Sequence, residues 1–501
     1  MHLADSEKVA SLPETQQVAA KRPQLHFTPQ KNWINDPNGL FFDGTQYHLY
    51  FQHNPYGVGH GYMSWGHAVS TDLVNWTELP IAILHGDVAD IFSGSIVVDH
   101  GNASGLGDGK VPPVIALYTA AAKDDTNQSQ AIAYSLDGGS TFTKYERNPV
   151  LDRGSKNFRD PKVFRYESAQ GSYWVMVAVE AIERRVLFYR SENLIDWTEL
   201  SSFGPQAATG GIWECPDLFQ LPISGTEELK WVLIVSLNPG GVAGGSGTQY
   251  FVGEFDGTTF TPDQNHDAWD SFAYDSLSQG DWLDWGRDFY AGVSFHGMSV
   301  HRQILIAWMS NWDYARELPH DGWRGSMSAA RQLDLVAAMD GKFEIRQHFL
   351  GLPATGTMPP QTVSGEDRIE LGSPTLLELT VAGNSSEQSV LSLHRSDDSL
   401  ISEIRIDSAL LQHHRTAGKV EHDLYASTQR MPLPSGLDEL RVRVLLDHGS
   451  IEILAADGRC SLTDQLAGEA APAYGTLRLA EGKNATFSVL PLAVKTLEVN
   501  A

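Results

Sequence analysis

Three acidic residues stand in contexts that fix the direction of a side chain. Asp36 lies in Trp33-Ile-Asn-Asp-Pro-Asn-Gly39, Asp160 in Phe158-Arg-Asp-Pro161, and Glu214 in Trp213-Glu-Cys-Pro-Asp217. Each precedes a proline by one or two residues. Proline locks φ and removes a backbone donor, so each acid is expected in or beside a turn that holds it in one orientation. Paired carboxyl groups are what glycosidic bond cleavage needs: one to attack or to activate water, one to keep a proton for the leaving oxygen. The neighbours also suit a sugar, with Trp for its C–H face and Asn, Gln and Arg for its hydroxyls. A single Asp-Pro or Asn-Gly is an ordinary turn dipeptide. Three such contexts in one aromatic-rich stretch raise a glycosidase to a candidate, and no further.

The elements that must hold these acids read as β-structure. Gln46–Gln52, Ile91–Val98, Val114–Ala120, Ser172–Val179, Trp231–Leu237 and Gln303–Trp308 are β-branched and aromatic runs bounded by Gly, Asn, Asp and Pro. No long stretch keeps the 3.6-residue apolar period of a helix. Ser70-Thr-Asp-Leu-Val-Asn-Trp-Thr-Glu-Leu79 and Ser191-Glu-Asn-Leu-Ile-Asp-Trp-Thr-Glu-Leu200 share one pattern, and Ser135–Phe142 and Phe255–Phe260 are degenerate versions of a hairpin. Repeated turn-plus-aromatic hairpins in a β chain predict a propeller, with about 60 residues per blade giving five or six blades. All 13 Trp fall between Trp33 and Trp323, and only Tyr425 and Tyr474 of the 16 Tyr lie beyond residue 350. We therefore expect a propeller over 24–352, a Pro/Gly/Thr linker over 353–365 and a β-sandwich over 366–501, where several short strands alternate apolar and polar. Residues 1–23 are expected to be disordered or extraneous to the fold. His413, His414 and His422 are expected to be solvated rather than metal-bound.

The chain has 501 residues, 62 Asp+Glu against 36 Lys+Arg, and a formal charge of −26. So acidic a surface repels phosphate backbones, which argues against nucleic acid and for a neutral ligand. No apolar run reaches the roughly 18–20 residues that span a bilayer, so no membrane partner is expected. Two cysteines, Cys215 and Cys460, exclude a disulfide scaffold. The spacing of His48, His53, His60 and His67 does not suit zinc, and Gly240–Gly247 lacks the Lys-Ser/Thr of a phosphate loop. We expect neither a metal nor a cofactor. The first residues lack the apolar core of a signal peptide, while Asn75, Asn102, Asn127, Asn384 and Asn484 open Asn-x-Ser/Thr triplets. A secreted, mature form is the expectation, with a cytoplasmic location as the alternative. Whether the chain is a monomer or a homodimer is left open.

The same blocks, with Phe92-Ser-Gly-Ser95, Trp65-Gly-His67, Asn238–Tyr250, Asp284–Tyr290, Ala307–Trp312, Trp323–Met327 and, in the tail, Leu446–Ile453, resemble the signature blocks of glycoside hydrolase family 32, which comprises invertases, exo-inulinases and levanases. The resemblance runs from about Phe27 to Arg331. It implies an all-β fold, a five-bladed propeller followed by a β-sandwich, with the active site in the funnel on the propeller axis. It implies sucrose or a fructan as substrate and release of terminal β-D-fructose with retention. Carried residue by residue, it makes Asp36 the nucleophile, Glu214 the acid/base and Asp160 the transition-state stabiliser. Asn35, Gln52, Trp65, Phe92, Ser93, Arg159 and Trp312 would line the fructose pocket, and Cys215 would tune the neighbouring acid. One position departs from the pattern. His60 stands where the family usually has a Trp, which leaves substrate preference and pH response open.

The implied double displacement requires Asp36 held ionised, its proton affinity driven down, and Glu214 holding a proton. Arg159 is expected to keep Asp160 charged. An intact Asp36-Pro-Asn-Gly39 and the Phe92–Ser95 block favour exo over endo cleavage. The rival readings are a fructosyltransferase, an inverting arabinan-type hydrolase on a related propeller, and a fructan-binding lectin that lost catalysis.

Overall fold

The computed structural model describes residues 22–493, except 170, 339–340, 355, 357–358 and 373. The segment 1–21 of the expected disordered N-terminus lies outside the described residues. The fold is all-β: five sheets form a five-bladed propeller, and two six-stranded sheets form a β-sandwich after it. The innermost strands of blades one to five are Asn32–Phe42, Ala89–Val98, Phe158–Ser168, Ile212–Pro222 and Tyr290–Ser294. Each touches the next around the ring, and the fifth touches the first. The ring is also closed by Trp323–Arg324, which pairs in parallel with Asn32 and Trp33.

Alternation along the second strands explains why the sequence shows apolar runs instead of an amphipathic period. In Gly171–Glu180, Val175, Val177 and Val179 pack with Leu233 and Val235 of blade four, while Trp174, Met176 and Ala178 pack with Ile115 and Leu117 of blade two. Both faces of a blade are therefore covered, and five apolar clusters fill the five seams. Burying each such Val or Leu stabilises the seam by about 1.5–3 kcal/mol. Nearer the axis, Lys162 Nζ lies 2.8 Å from Asp217 Oδ2 and 2.6 Å from Ser294 O, which ties blades three, four and five together.

The sequence repeat marks one structural position, the turn from third to outermost strand. Leu73 and Leu194 both take left-handed φ there, and each carbonyl accepts a bond from an indole, Trp76 Nε1 and Trp197 Nε1, both at 3.1 Å. Asp72 Oδ1 and Asn193 Oδ1 accept the backbone N–H groups of the turn. The amide–carboxylate pair beside them is inverted: Asn75 donates to Asp72 in one copy, Asn193 to Asp196 in the other, each at 2.8 Å.

The sandwich encloses one apolar core between its sheets. Its first strand, Gln361–Ser364, pairs with Asn484–Pro491 and so occupies part of the expected linker. We propose the division between propeller and sandwich within 350–360. His413 is a correction. It lies in strand Leu410–Arg415, not a loop, and alternation turns Leu411, His413 and Arg415 inward, where His413 pairs with Asp464.

The two units meet through buried charges. His26 Nδ1 is 2.9 Å from Asp447 and Nε2 is 2.7 Å from Glu452. Glu452 also binds Arg331, whose other nitrogen lies 2.9 Å from Asp284. Arg415 of the sandwich reaches Asp288 at 2.7 Å. A side chain at Gly286 would stand 1.9 Å from the Thr463 carbonyl, so only glycine permits this approach.

Candidate active site

The acids do not occupy turns. They sit inside innermost strands, and the prolines mark β-bulges. All five innermost strands set two residues against one of the next strand at the same level: Asn35-Asp36, Phe92-Ser93, Asp160-Pro161, Cys215-Pro216 and Ala291-Gly292. Proline is tolerated on a strand edge or at a bulge because no ladder donor is needed there. In blades three, four and five the first bulge residue is Asp160, Cys215 or Ala291, with φ of 62°, 46° and 53°. Left-handed backbone at non-glycine residues is costly and is held by its surroundings. Here the holding contacts are Asp160 N to Thr119 Oγ1 at 2.9 Å, Cys215 N to Asp160 Oδ2 at 2.9 Å, and Ala291 N to Ser236 Oγ at 3.0 Å. Gly94 follows the second bulge because a side chain there would meet the Leu117 carbonyl at 2.0 Å.

These bulges aim Asp36, Asp160 and Glu214 into one cavity of 430 Å³ at the axis. Asp36 Oδ2 accepts from Ser93 Oγ at 2.6 Å and its Oδ1 from Asn35 Nδ2 at 3.1 Å. Glu214 Oε1 accepts from Arg159 Nη2 at 3.0 Å and Nε at 3.2 Å, and its Oε2 accepts from the Tyr290 hydroxyl. Gln52 is oriented by Asn38, at 2.7 Å. Phe92 and Trp312 supply the apolar wall.

Of the residues singled out in the sequence, Asn35, Asp36, Gln52, Phe92, Ser93, Arg159, Asp160, Glu214 and Trp312 line this cavity. Trp65 and Cys215 do not. Trp65 is fully buried behind the wall and holds the Phe92 carbonyl through Nε1 at 3.0 Å. The Cys215 thiol lies 3.5 Å from Asp36 and 3.6 Å from Asp160, so it bridges those two acids instead of contacting the carboxyl of its neighbour Glu214. Arg159 likewise favours Glu214 over Asp160, which is 4.0 Å away. His60 lines the cavity at its rim, edge-on to Trp33, Phe92 and Trp312. Gln128, Ile212, Asn238, Tyr290 and Arg316 escaped the sequence reading as site residues. Asn238 and Tyr290 stand at block ends that could have flagged them; Gln128, Ile212 and Arg316 carry no local signal.

The electrostatics differ from expectation at Asp36. Burial pushes its carboxyl up, the Ser93 bond opposes this, and the charge of Glu214 adds to it. Burial likewise lifts Asp160 to about 7 against the pull of Arg159, with Glu214 and Asp36 adding. For Asp160 the single arginine does not outweigh burial together with the two neighbouring acids. Desolvation by the surrounding cavity wall, then Arg316, pushes the His60 imidazole down to about 4, although the residue stands at the cavity mouth with much of its surface open to solvent. Among the described residues no group of three or more His, Cys, Asp or Glu is placed to hold a metal ion.

Residues 26–347 match the profile of the N-terminal domain of glycosyl hydrolases family 32. The chain belongs to glycosyl hydrolases family 32. It is 38% identical over 497 residues to an extracellular exo-inulinase of Aspergillus niger, covering 89% of each chain. The crystal structure of an exo-inulinase from Aspergillus awamori superposes with a TM-score of 0.87 at 34% identity, over 95% of this chain and 99% of that one. A fructofuranosidase from Schwanniomyces occidentalis complexed with fructose gives 0.84 at 32% identity, over 96% and 99%. This member of family 32 is a β-fructofuranosidase, a glycoside hydrolase.

Proposed function

We propose that the chain releases terminal β-D-fructose from sucrose or from inulin- or levan-type fructans by a retaining double displacement. One observation carries this reading: three carboxyl groups from three different blades share one cavity, with separate hydrogen-bond partners that distinguish them. Asp36 is the nucleophile. Ser93 and Asn35 donate to its oxygens, which favours the charged form against burial. It attacks the anomeric carbon, and the bond to the bridging oxygen breaks with its electron pair on that oxygen. Glu214 protonates that oxygen. Water then enters, Glu214 as carboxylate takes its proton, and the ester to Asp36 is cleaved. Retention of this kind places the two carboxyl groups about 5–5.5 Å apart. Asp160, anchored by the Cys215 N–H, holds fructosyl hydroxyls and stabilises the transition state. Arg159 and Tyr290 orient Glu214.

A single cavity on the axis receives a chain end better than a chain middle, and the Aspergillus relatives are described as exo-inulinases. The extracellular description of the A. niger relative supports a secreted protein here. Hydrolysis of sucrose, inulin and levan followed over time tests the reading. Fructose as the early small product from inulin and levan, with an equal amount of glucose from sucrose, and the fructose first formed as the β-anomer, is the expected result. An early oligosaccharide ladder overturns exo action, and the α-anomer overturns retention.

A further inference from the structure

Outside the cavity, the rim of blades one and two leaves large rings in solvent. Tyr56 and Tyr62 are 64% and 55% exposed, and Val88 is 81% exposed. Apolar residues exposed singly need no explanation, whereas exposed rings held against one another do. The rings are arranged, not scattered. Tyr56 and Tyr62 meet edge-on with centroids 5.4 Å apart, and His85 lies 5.7 Å from each. Lys123 Nζ sits 5.8 Å from the Tyr62 ring and 3.1 Å from His85 Nδ1. The loop that presents the two tyrosines is pinned: Asn54 Nδ2 donates to Gly59 O at 2.7 Å, Asn54 Oδ1 accepts from Tyr56 N at 2.9 Å, and Tyr62 holds a left-handed φ of 50°.

Beside this platform lies a second cavity of 440 Å³, lined by Val88, Lys123, Thr126 and Asn127 among others. Both features adjoin the active cavity. His60, on the tyrosine loop, lines the active cavity, and Gln128 lines it next to Asn127.

We infer that this rim is a second sugar-binding surface, which takes fructosyl units of a linear β-fructan whose terminal ring occupies the active cavity. The inference rests on the β-fructofuranosidase reading above and adds a preference for polymers. Rings offer a flat apolar face to furanose C–H groups, and Thr126, Asn127 and Ser129 of the adjoining cavity offer polar groups to hydroxyls. The occupant is neutral. Lys123 is already engaged by His85 and, at 3.8 Å, by Asp90, and a net charge of −26 repels an anion.

The test uses protein from a bacterial host, so that Asn127 carries no glycan. The double variant Tyr56→Ala/Tyr62→Ala should keep kcat/KM for sucrose within about twofold and lose about fivefold or more on long-chain inulin or levan, through KM. Sucrose turnover reports that the variant is folded. Equal losses on sucrose and polymer, or no loss on either, overturn the inference. Turnover is removed from the comparison by placing Asp36→Asn in both proteins and running them through native gels containing inulin. Retardation that the tyrosine substitutions relieve supports the surface, and equal mobility overturns it. Failure of the wild-type protein to release fructose from any substrate sinks the functional reading instead, and the gels still judge the surface.

Discussion

Arg159 lays two nitrogens on one oxygen of Glu214, at 3.0 and 3.2 Å, while the Tyr290 hydroxyl takes the other. The carboxyl is thereby held against rotation by groups from blades three and five, although it belongs to blade four. A lysine keeps the charge but not the fork. Arg159→Lys should lower kcat by about 10²-fold with a smaller change in KM, because the acid is misplaced and not removed. A change confined to KM would show that Arg159 binds substrate and does not position Glu214.

Asp36→Asn should lower turnover by at least about 10³-fold and leave the fold intact. Residual activity of a few per cent, measured on protein purified away from wild type, would rule out Asp36 as nucleophile. Glu214→Gln should slow sucrose more than an activated aryl fructoside, since only the poor leaving group needs a proton. Equal loss on both would count against the acid role.

The raised Asp36 and Asp160 carboxyls predict where activity falls in acid. Both must be charged to act, and each is held above the usual 3.8, Asp160 at about 7. Protonation on acidification therefore begins sooner than for exposed acids. The acid limb of kcat/KM should lie well above pH 3.8, with activity still rising toward about pH 7. A limb near 3.8 would mean that substrate-free burial does not govern these groups.

His60 should leave that profile alone. At about 4 it is neutral over the working range. His60→Ala should change sucrose kcat/KM by several-fold through lost contact with Trp33, Phe92 and Trp312, but should not shift either limb above pH 5. A displaced limb would make it a titrating participant.

The cluster joining propeller and sandwich sets a pH window for stability. Burial alone would lower His26, but bonds to Asp447 and Glu452 raise it to about 9 from 6.5; its contribution is complete below 6.5 and lost as pH rises through 9. Burial alone would raise Glu452, but Arg331 and His26 lower it to about 2 from 4.5; its contribution is complete above 4.5 and lost as pH falls through 2. Thermal stability should be greatest between about 4.5 and 6.5 as far as this cluster governs it. Glu452→Gln should cost up to about 3–5 kcal/mol in denaturant unfolding, because Arg331 and His26 stay buried with one of their two carboxylate partners neutralised and only Asp284 and Asp447 left to pair them.

Much of this site was legible in the sequence, and the reason is local. Asp36, Asp160 and Glu214 each carry their positioning device beside them, a proline at a bulge. Ser93 carries the Gly94 that lets its strand approach the next. Seam packing was legible too, since strands covered on both faces read as unbroken apolar runs. What escaped depends on long-range placement. Gln128 and Arg316 reach the cavity from a strand end and a loop that local pattern cannot aim. The opposite shift at Asp36 follows from the joint burial of three acids that are 54 to 178 residues apart in sequence. His413 was misjudged because two neighbouring histidines look like a loop, whereas strand alternation sends one inward and leaves His414 nearer solvent.

The charges that bridge the two units bear on how such chains can be recombined. Arg331, Asp284 and Asp288 belong to the propeller; Glu452, Asp447 and Arg415 belong to the sandwich; and His26 comes from the leading segment. A chimera that inherits one side from a different parent must inherit matching charges on the other, or strand an ion in a dry seam. Modular exchange within this lineage is therefore constrained less by the loop that joins the halves than by a handful of ions that must travel together.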